Sequence, residues 1–511
     1  MRITNNMIMT KADANINGVK VILDKRNTQM TTQKKIDKPS DDPVIAVRSL
    51  RFSTSLSKVN QYYKKNIPDA ESWLEVTETA VNDMRSIVRN VHTLSNQGAN
   101  DTLTQDDRKT ILKQLQALQS QLYDAGNSDY AGRTVFTGFR TNKTLTFMAD
   151  EKDTTYSIEQ PIEMKEMEEY RYYSGSVKVP GDATEVLDTT SIVNNPYTEH
   201  DYYRVRAAYD NISVGNNGDV VGIPYKNAGS DVTQTLNVKV YETELDWENA
   251  TGMVIGDDDA VLIEETGDII LGKNLSSTMK ANRAVLDFSY TKTGFKDGEL
   301  RPEYYYNCVK TADKGAPVNV QYDKYDENGN TIGYDINYTI AANQELRVNI
   351  EADQVFDSNF IQDINDMVAA VSNAINAYDK VQNLKEMKAQ MQYAASDYQT
   401  SLDKWIEAAN KELDYSNNCL QKIFNAELEK SKNYEDRLNL AMTDIGCRKQ
   451  QLDMTSKQMS DQLETVQDLQ SKNDDMDLSE VVLKYTAART AYSSSLTAAG
   501  KLGDMTLLNY I

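Results

Sequence analysis

Few side chains in this chain of 511 residues could act as catalysts. Only two histidines occur, His92 and His200, so a serine–histidine–aspartate triad would have to use one of them, and an HExxH zinc motif is impossible. His92 lies within an amphipathic run, where a packing or surface histidine is the ordinary interpretation. Neither GxxxxGK[ST] nor GxGxxG is present. The sequence therefore predicts no catalytic residue, no cofactor-binding residue and no enzyme.

One short segment has the spacing of a metal-binding loop. Asp326, Asn328 and Asn330 stand where a calcium loop begins, but Thr331 occupies the position of the turn glycine and no acid stands at the twelfth position. A hairpin turn is the better interpretation. The three cysteines show no CxxC spacing and form no disulfide framework. We expect no metal site.

Composition excludes two classes of partner. The net charge is −22, the pI is about 4.7 and the mean hydropathy is −0.61. Phosphate binding needs clustered lysine and arginine, so neither nucleic acid nor an anionic membrane surface is expected as a partner. No apolar run reaches about 18 residues, so no membrane insertion is expected. The first residues contain no apolar segment with a cleavage site, which predicts either a cytosolic protein or export without a cleaved signal peptide.

Glycine and proline separate the chain into helical ends and a strand-rich middle. Residues 351–511 contain no proline and three glycines, whereas residues 148–350 contain six prolines, fifteen glycines and 18 of the 30 tyrosines. We predict an α+β fold, in which both chain ends form a long helical bundle or coiled coil and the middle is an inserted, mostly antiparallel β domain. Tyrosine suits half-exposed sheet faces, so we expect wet sheet surfaces.

The predicted boundaries follow this pattern. Residues 1–39 and 476–511 are terminal coiled-coil arms, which we expect to be disordered in the monomer because their apolar stripes are thin. Residues 40–147 and 351–475 form a helical rod domain with a β-hairpin at about 130–147. Residues 148–350 form the inserted outer domain.

The first helix break carries a clear start signal. Pro39 disfavours helix at the residue before it. Ser40 or Asp42 can cap a new helix, Asp41 and Asp42 suit its positive end, and Pro43 fits its first turn. An inward face is expected from this point on, formed by Val44, Val47 and Leu50 and, further on, by Leu56, Val59, Tyr63 and Ile67.

Four stretches resemble the bacterial flagellin superfamily, in the order typical of that family. They are residues 34–44, 132–138, 445–448 and the C-terminal arm from 475 to 511. Pro43 favours the proteins of the junction between hook and filament, because flagellin typically carries alanine after the paired aspartates. The sequence departs from the family at Thr32-Gln33 and at Cys447, and the middle is larger than in typical members.

The resemblance implies a structural role in the bacterial flagellum, outside the cell, after export by the flagellar secretion apparatus with the help of a cytosolic export chaperone. The implied partners are hook-associated protein 1, flagellin and copies of the chain itself in a ring. The terminal stripes would then be assembly surfaces. The predicted interface residues are Ile8, Ile16, Val19, Leu23, Leu496, Leu502, Leu507, Leu508, Tyr510 and Ile511.

Two alternatives remain open at this point. The chain could be flagellin itself, the filament subunit. It could also be a flagellin-like rod whose middle domain is an adhesin, an idea that rests on the tyrosine-rich sheet.

Overall fold

The computed structural model describes residues 5–504 except 101–102, 176, 195, 231, 327–328 and 356–357. The predicted α+β class is confirmed, with helices at both ends of the described part and a mostly antiparallel sheet between them. The chain divides into two compact units. The first unit holds the described residues of 1–71, 338–346 and 449–511, and the second holds those of 72–337 and 347–448. The predicted boundaries of arms, rod and outer domain stay a prediction about folding units in the monomer.

The α-helices are α1 (Asn5–Thr32), α2 (Pro43–Gln61), α3 (Ile67–Gly98), α4 (Gln105–Gly126), α5 (Ala183–Leu187), α6 (Thr190–Asn194), α7 (Glu244–Thr251), α8 (Lys273–Ala281), α9 (Ala352–Val355), α10 (Ser358–Ala389), α11 (Ser396–Asp474) and α12 (Leu478–Asp504). A π-helical turn, Tyr62–Asn66, joins α2 to α3 just before Pro68. Since proline has no N–H to donate, a widened turn at this point is an expected way to keep the helix going.

The β-strands are β1 (Asp129–Tyr130), β2 (Arg133–Thr134), β3 (Glu151–Glu163), β4 (Glu168–Ser174), β5 (Thr198–Arg206), β6 (Ile212–Ser213), β7 (Val220–Lys226), β8 (Thr233–Tyr241), β9 (Ala260–Ile263), β10 (Asp268–Leu271), β11 (Val285–Phe295), β12 (Asn307–Asp313), β13 (Ala316–Tyr322), β14 (Asn337–Ala341) and β15 (Gln344–Arg347). Eleven of them form one sheet in the order β13-β12-β3-β11-β7-β8-β9-β10-β5-β4, with β6 paired to β11. The pairs are antiparallel except β8 with β9.

The sheet faces are drier than predicted. Tyr156, Tyr172 and Tyr290 are at most 3% exposed, and burial raises the pKa of each phenol. Tyr172 packs against the indole of Trp247, which is fully buried. Tyrosine therefore serves here as a large core residue whose hydroxyl finds an internal partner, as when Tyr172 donates to Asp268 at 2.7 Å.

The hairpin expected at 130–147 is much shorter than predicted. Its strands cover only β1 and β2, joined by Ala131 and Gly132 with φ of 52° and 76°. Beyond β2 the Thr134 hydroxyl bonds to the Thr137 hydroxyl and donates to the carbonyl of Lys143 at 2.8 Å. These side-chain bonds hold the segment in turns, so the period-two pattern after residue 134 does not form a ladder.

Helices α10 and α11 form a helical hairpin in the second unit, and this hairpin packs beside the sheet. The turn between them buries Tyr393, and Trp405 of α11 lies in the same apolar cluster. The segment between β4 and β5 covers this cluster, since the Trp405 indole donates to the carbonyl of Val186 at 3.2 Å. This packing fixes α10 and α11 beside the edge of the sheet formed by β4 and β5.

Candidate assembly surface on the terminal helices

Residues 33–35 and 472–476, here called the clasp, join the end of α1 to the break between α11 and α12. The ammonium of Lys34 lies 2.5 Å from Asp475 Oδ1. Two backbone bonds reinforce the pair, from Lys35 N to the carbonyl of Asp474 at 2.8 Å and from Met476 N to the carbonyl of Gln33 at 2.9 Å. The clasp therefore places the C-terminal end of α1 against the N-terminal end of α12, and the two helices run antiparallel.

Lysine chemistry explains why the clasp forms at this point. The Lys35 ammonium donates to the carbonyls of Lys472 and Asn473 at the end of α11. The last carbonyls of a helix have no partners within it and carry partial negative charge, which a cation stabilises. The hydrogen bond from Lys34 lowers the pKa of the Asp475 carboxyl. Lys35, one of the two lysines of the family-like stretch, thus caps the C-terminal end of α11, 437 residues further along the chain.

Of the two capping candidates after Pro39, Asp42 caps helix α2 and Ser40 does not. Asp42 Oδ1 accepts from the N–H groups of Val44 at 2.9 Å and Ile45 at 3.2 Å, and Pro43 is the first residue of α2. Asp41 accepts from the N–H groups of residues 37 and 38, and these bonds lower the pKa of its carboxyl. Pro39 and Ser40 lie in the turn that precedes the cap. Each aspartate of the pair thus has a separate local task.

The predicted interface residues divide into three groups. Ile16, Val19 and Leu23 are half-buried on α1, the helix that packs along α12. Ile8 and Leu496 are 37% and 46% exposed. The side chains of Leu502, Leu507, Leu508, Tyr510 and Ile511 lie outside the described residues. Their role in assembly stays a prediction.

One surface was missed by the sequence analysis. Val44, Val47 and Leu50 on α2 are 60%, 49% and 68% exposed, so the expectation that they face inward is wrong. Steps of three residues place them on one side of the helix, which we call the outer face of α2. Within the described part of the chain, no neighbour covers this side. Spacing shows that a helix has an apolar side, but it does not tell whether the cover comes from the same chain.

Both terminal helices also keep apolar residues outside their mutual contact. Val21 and Ile22 of α1 are 69% and 51% exposed, and Leu483 of α12 is 72% exposed. Other apolar residues of α12 are buried, since Val481 is fully buried and Ala488 is 8% exposed. Each terminal helix therefore buries apolar residues on one side against its own chain and exposes apolar residues on another side.

The histidines make hydrogen bonds with buried serines. His92 Nδ1 lies 2.9 Å from the hydroxyl of Ser431, which itself donates to the carbonyl of Glu427. His200 Nε2 lies 3.0 Å from the hydroxyl of Ser174, and burial lowers the pKa of its imidazole. Both serines are at most 6% exposed, so neither hydroxyl is open to a substrate.

Neither a cluster of metal ligands nor a membrane-spanning helix is found among the described residues. No group of three or more histidine, cysteine or acidic side chains among these residues could hold a metal ion. Cys308 and Cys419 are buried and Cys447 is exposed, all three as free thiols. No helix in this part of the chain combines the length and the apolar character needed to cross a bilayer.

Comparison with known families gives a match at the N-terminal end. Residues 3–141 match the bacterial flagellin N-terminal helical region. This range contains α1, α2, the Asp42 cap and most of the turns after α4.

Curated relatives come from flagella. Flagellar hook-associated protein 3 of Salmonella typhimurium is 28% identical over 142 residues, which are 28% of this chain and 44% of that protein. The protein of the same name from Escherichia coli is 29% identical over 118 residues, 23% of this chain and 37% of that protein. The phase 2 flagellin of Salmonella abortus-equi is 23% identical over 346 residues, 65% of this chain and 64% of that protein. The match thus spans less than half the length of both hook-associated relatives.

Solved structures that match the chain include flagellar junction proteins. The flagellar junction protein FlgL from Legionella pneumophila is 12% identical, with 83% of this chain and 99% of that chain covered and a TM-score of 0.29. A score this low adds nothing to the description of the fold. The N-terminal helical part of the chain is thus similar to the bacterial flagellin N-terminal helical region, and stretches of the chain are similar to flagellar hook-associated protein 3.

Proposed function

We propose that this protein is a structural subunit of the bacterial flagellum that joins the hook, through hook-associated protein 1, to the flagellin filament. It would act outside the cell, beside copies of itself in a ring, after export without a cleaved signal peptide. The flagellar export apparatus and a cytosolic chaperone would handle it before assembly. The proposed role is mechanical, and no enzymatic activity is assigned.

The observation that carries this proposal is the outer face of α2. It presents Val44, Val47 and Leu50 to solvent, beside the cap that lies in the superfamily-like region. Scattered exposed apolar residues are ordinary on a protein surface, but an aligned row on one helix marks an interaction surface. A subunit that must be covered by neighbours has a use for such a row.

The proposal is tested by one charged substitution and a matched control. Leu50→Asp places a carboxylate on the outer face of α2, whereas Leu440→Asp changes a leucine that is 71% exposed on α11. In a strain that lacks its own copy, we expect both variants to be exported. The Leu50→Asp strain should carry hooks without filaments, and the Leu440→Asp strain should swim. Normal filaments on Leu50→Asp cells would contradict the assignment of this face to assembly.

The C-terminal residues give an independent test. Deletion of residues 507–511 is expected to block filament growth while hook assembly persists. Limited proteolysis of the purified monomer is expected to remove residues outside about 40–475, since thin stripes order only when partners cover them. Full protection of both ends in the monomer would argue against order on assembly.

A second candidate is flagellin itself, and one comparison favours it. The match to phase 2 flagellin covers 65% of this chain, more than the match to either hook-associated relative. The two roles differ in copy number, so quantitative mass spectrometry of sheared filaments separates them. A bulk filament protein would replace the junction role, whereas a trace component would support it.

A further inference from the structure

A cavity of the second unit lies between strands at one edge of the sheet and helix α10. It has a volume of about 1150 Å³ and is lined by residues of α4, β4, β5, α7, β10, α10 and α11 and of the loops beside them. Cavities of roughly 300–1000 Å³ are the usual size of small-molecule sites, so this one has room for an organic ligand together with water.

Aromatic rings form much of the wall. Six tyrosines line the cavity, namely Tyr123, Tyr170, Tyr172, Tyr173, Tyr197 and Tyr209. Tyr173 and Tyr197 stack with ring centroids 5.4 Å apart and planes 9° apart. The face of Tyr170 already receives a cation, since the guanidinium carbon of Arg204 lies 3.5 Å from its centroid. The wall is thus of a kind that attracts positive charge.

The charged groups of the lining do not balance. Nine carboxylate side chains line the cavity against five basic ones. Most of the carboxylates have internal partners. Asp268 and Asp366 bind Arg204, for example, at 3.1 Å for Asp268 Oδ2. Glu412 has a partner for only one of its two oxygens, and Glu244 has no hydrogen-bond partner within the described part of the chain.

Glu412 is a buried carboxylate that is only half satisfied. The side chain of this α11 residue is part of the cavity wall, and the residue is 8% exposed. Its Oε1 accepts from Lys380 at 2.7 Å, but its buried Oε2 has no hydrogen-bond partner among the described residues. An oxygen that has lost water without gaining a donor is unfavourable, and a ligand N–H in the cavity would remedy this.

Glu244 provides the second unbalanced carboxylate. It is the first residue of α7, half-buried, and no hydrogen bond to its carboxylate is found within the described part of the chain. Burial, together with the charges of Asp268, Glu265 and Asp366, raises the pKa of this carboxyl to about 7 against the opposing effect of Arg204. The carboxylate form therefore lacks the compensating charge that a bound cation would supply.

We propose that this cavity binds a linear diamine or polyamine, whose ammonium groups pair with Glu244 and Glu412 beside the ring of Tyr197. Asn373 and Asn376 of α10 also line the cavity and can accept from the remaining N–H groups. Amides and tyrosines would suit a sugar as well. A sugar hydroxyl would also donate to the lone oxygen of Glu412. A neutral sugar would, however, leave the excess of carboxylates in the lining uncompensated, so the charge balance favours the cation.

Binding is measured by isothermal titration of the full chain with spermidine at pH 7, and with the neutral trisaccharide raffinose in parallel. We expect saturable binding of spermidine with a Kd below about 1 mM and no heat from raffinose. Because an ammonium group lowers the pKa of Glu244, binding should release protons, and the observed heat should differ between phosphate and Tris buffers.

Three isosteric variants locate the ligand. Glu412→Gln and Glu244→Gln are expected to weaken spermidine binding at least tenfold. Glu429→Gln, which changes an exposed carboxylate on the same α11 helix as Glu412, should bind like the unaltered chain. Tryptophan fluorescence of each variant verifies the fold, since all three tryptophans lie in the second unit.

Several outcomes would overturn the proposal. Absence of spermidine binding at millimolar concentration would do so, and so would raffinose binding alone, which would identify a saccharide site. Equal affinity in the folded Glu412→Gln and Glu244→Gln variants would also refute it, because the amine would then bind elsewhere on the acidic surface of the chain.

Discussion

A single methyl group should separate helix propensity from core packing in this protein. Gly98 ends α3 in a helical, buried position. Alanine is favoured over glycine within a helix by about 1 kcal/mol, so propensity alone predicts that Gly98→Ala stabilises the chain. A Cβ built at Gly98, however, would lie 2.2 Å and 2.3 Å from two carbons of the Phe424 ring. We expect the clash to decide the sign.

The magnitude follows from the surroundings of that ring. Phe424 of α11 is fully buried, so the ring cannot swing into solvent without losing its own burial. Inserting a methyl group into a packed core costs about 1–3 kcal/mol. The propensity gain at a helix end is smaller than the interior value of about 1 kcal/mol. Gly98→Ala should therefore lower the free energy of unfolding by about 1–2 kcal/mol.

Gly446 is the matched control. It lies inside α11 in the same unit, and a Cβ built there meets nothing within 4 Å. Gly446→Ala should raise the free energy of unfolding by about 0.5–1 kcal/mol. Guanidinium unfolding followed by tryptophan fluorescence measures both variants, since Trp73, Trp247 and Trp405 all report on the second unit.

A double variant examines the cause. Phe424→Leu removes the ring atoms that the new methyl group would meet, so Gly98→Ala should cost much less in that background than alone. The difference is a coupling free energy of about 1 kcal/mol or more, as expected for residues in direct contact. The reasoning is refuted if Gly98→Ala stabilises the chain as Gly446→Ala does, or if its cost is the same with leucine at position 424.

Three further changes have defined outcomes. Asp42→Ala should destabilise the start of α2 by about 1 kcal/mol and speed amide exchange at Val44, whereas Asp42→Asn should retain most of the cap; unchanged exchange in the alanine variant would contradict the capping role. Lys324→Met should lower the free energy of unfolding by about 3–5 kcal/mol, measured by chemical unfolding, because it leaves a buried carboxylate unpaired. Lys324 is 2% exposed and pairs at 2.5 Å with the buried Glu351. A loss below about 1 kcal/mol would show that solvent reaches the carboxylate. Since the pKa of Glu244 is raised from 4.5 to about 7 on folding, its contribution to stability is present below pH 4.5 and is lost as pH rises through 7. The free energy of unfolding should therefore decrease by up to about 3 kcal/mol as the pH rises from 5 to 8. In the Glu244→Gln variant this decrease should be smaller.

Local signals in the sequence predicted local structure well. The cap before Pro43 depends on residues close in the chain, and it appears in the structure as the Asp42 cap of α2. Long-range pairing was beyond reach. Nothing near Lys34 in the sequence indicates that its partner is Asp475. The chain has 77 acidic residues, and any exposed one of them could pair with a lysine.

The candidate surfaces show the same limit in a different form. Periodicity correctly marked Val44, Val47 and Leu50 as one apolar side, but not whether that side faces the chain or a neighbour. The cavity was not predicted at all, since its wall combines residues from seven elements far apart in sequence. For Glu412, only the fold shows that Lys380 satisfies one carboxylate oxygen and leaves the other without a donor.

The terminal helices connect these observations. A helix that packs against one partner needs a single apolar stripe, whereas α12, which packs along α1, carries both a fully buried apolar residue, Val481, and an exposed one, Leu483. Covering one exposed leucine is worth about 1.5–3 kcal/mol, so a second partner that covers this stripe on several helices at once gains a binding free energy well above thermal energy. Such helices are suited to assembly, because the stripe that holds the chain together is separate from the stripe that remains available to a neighbour.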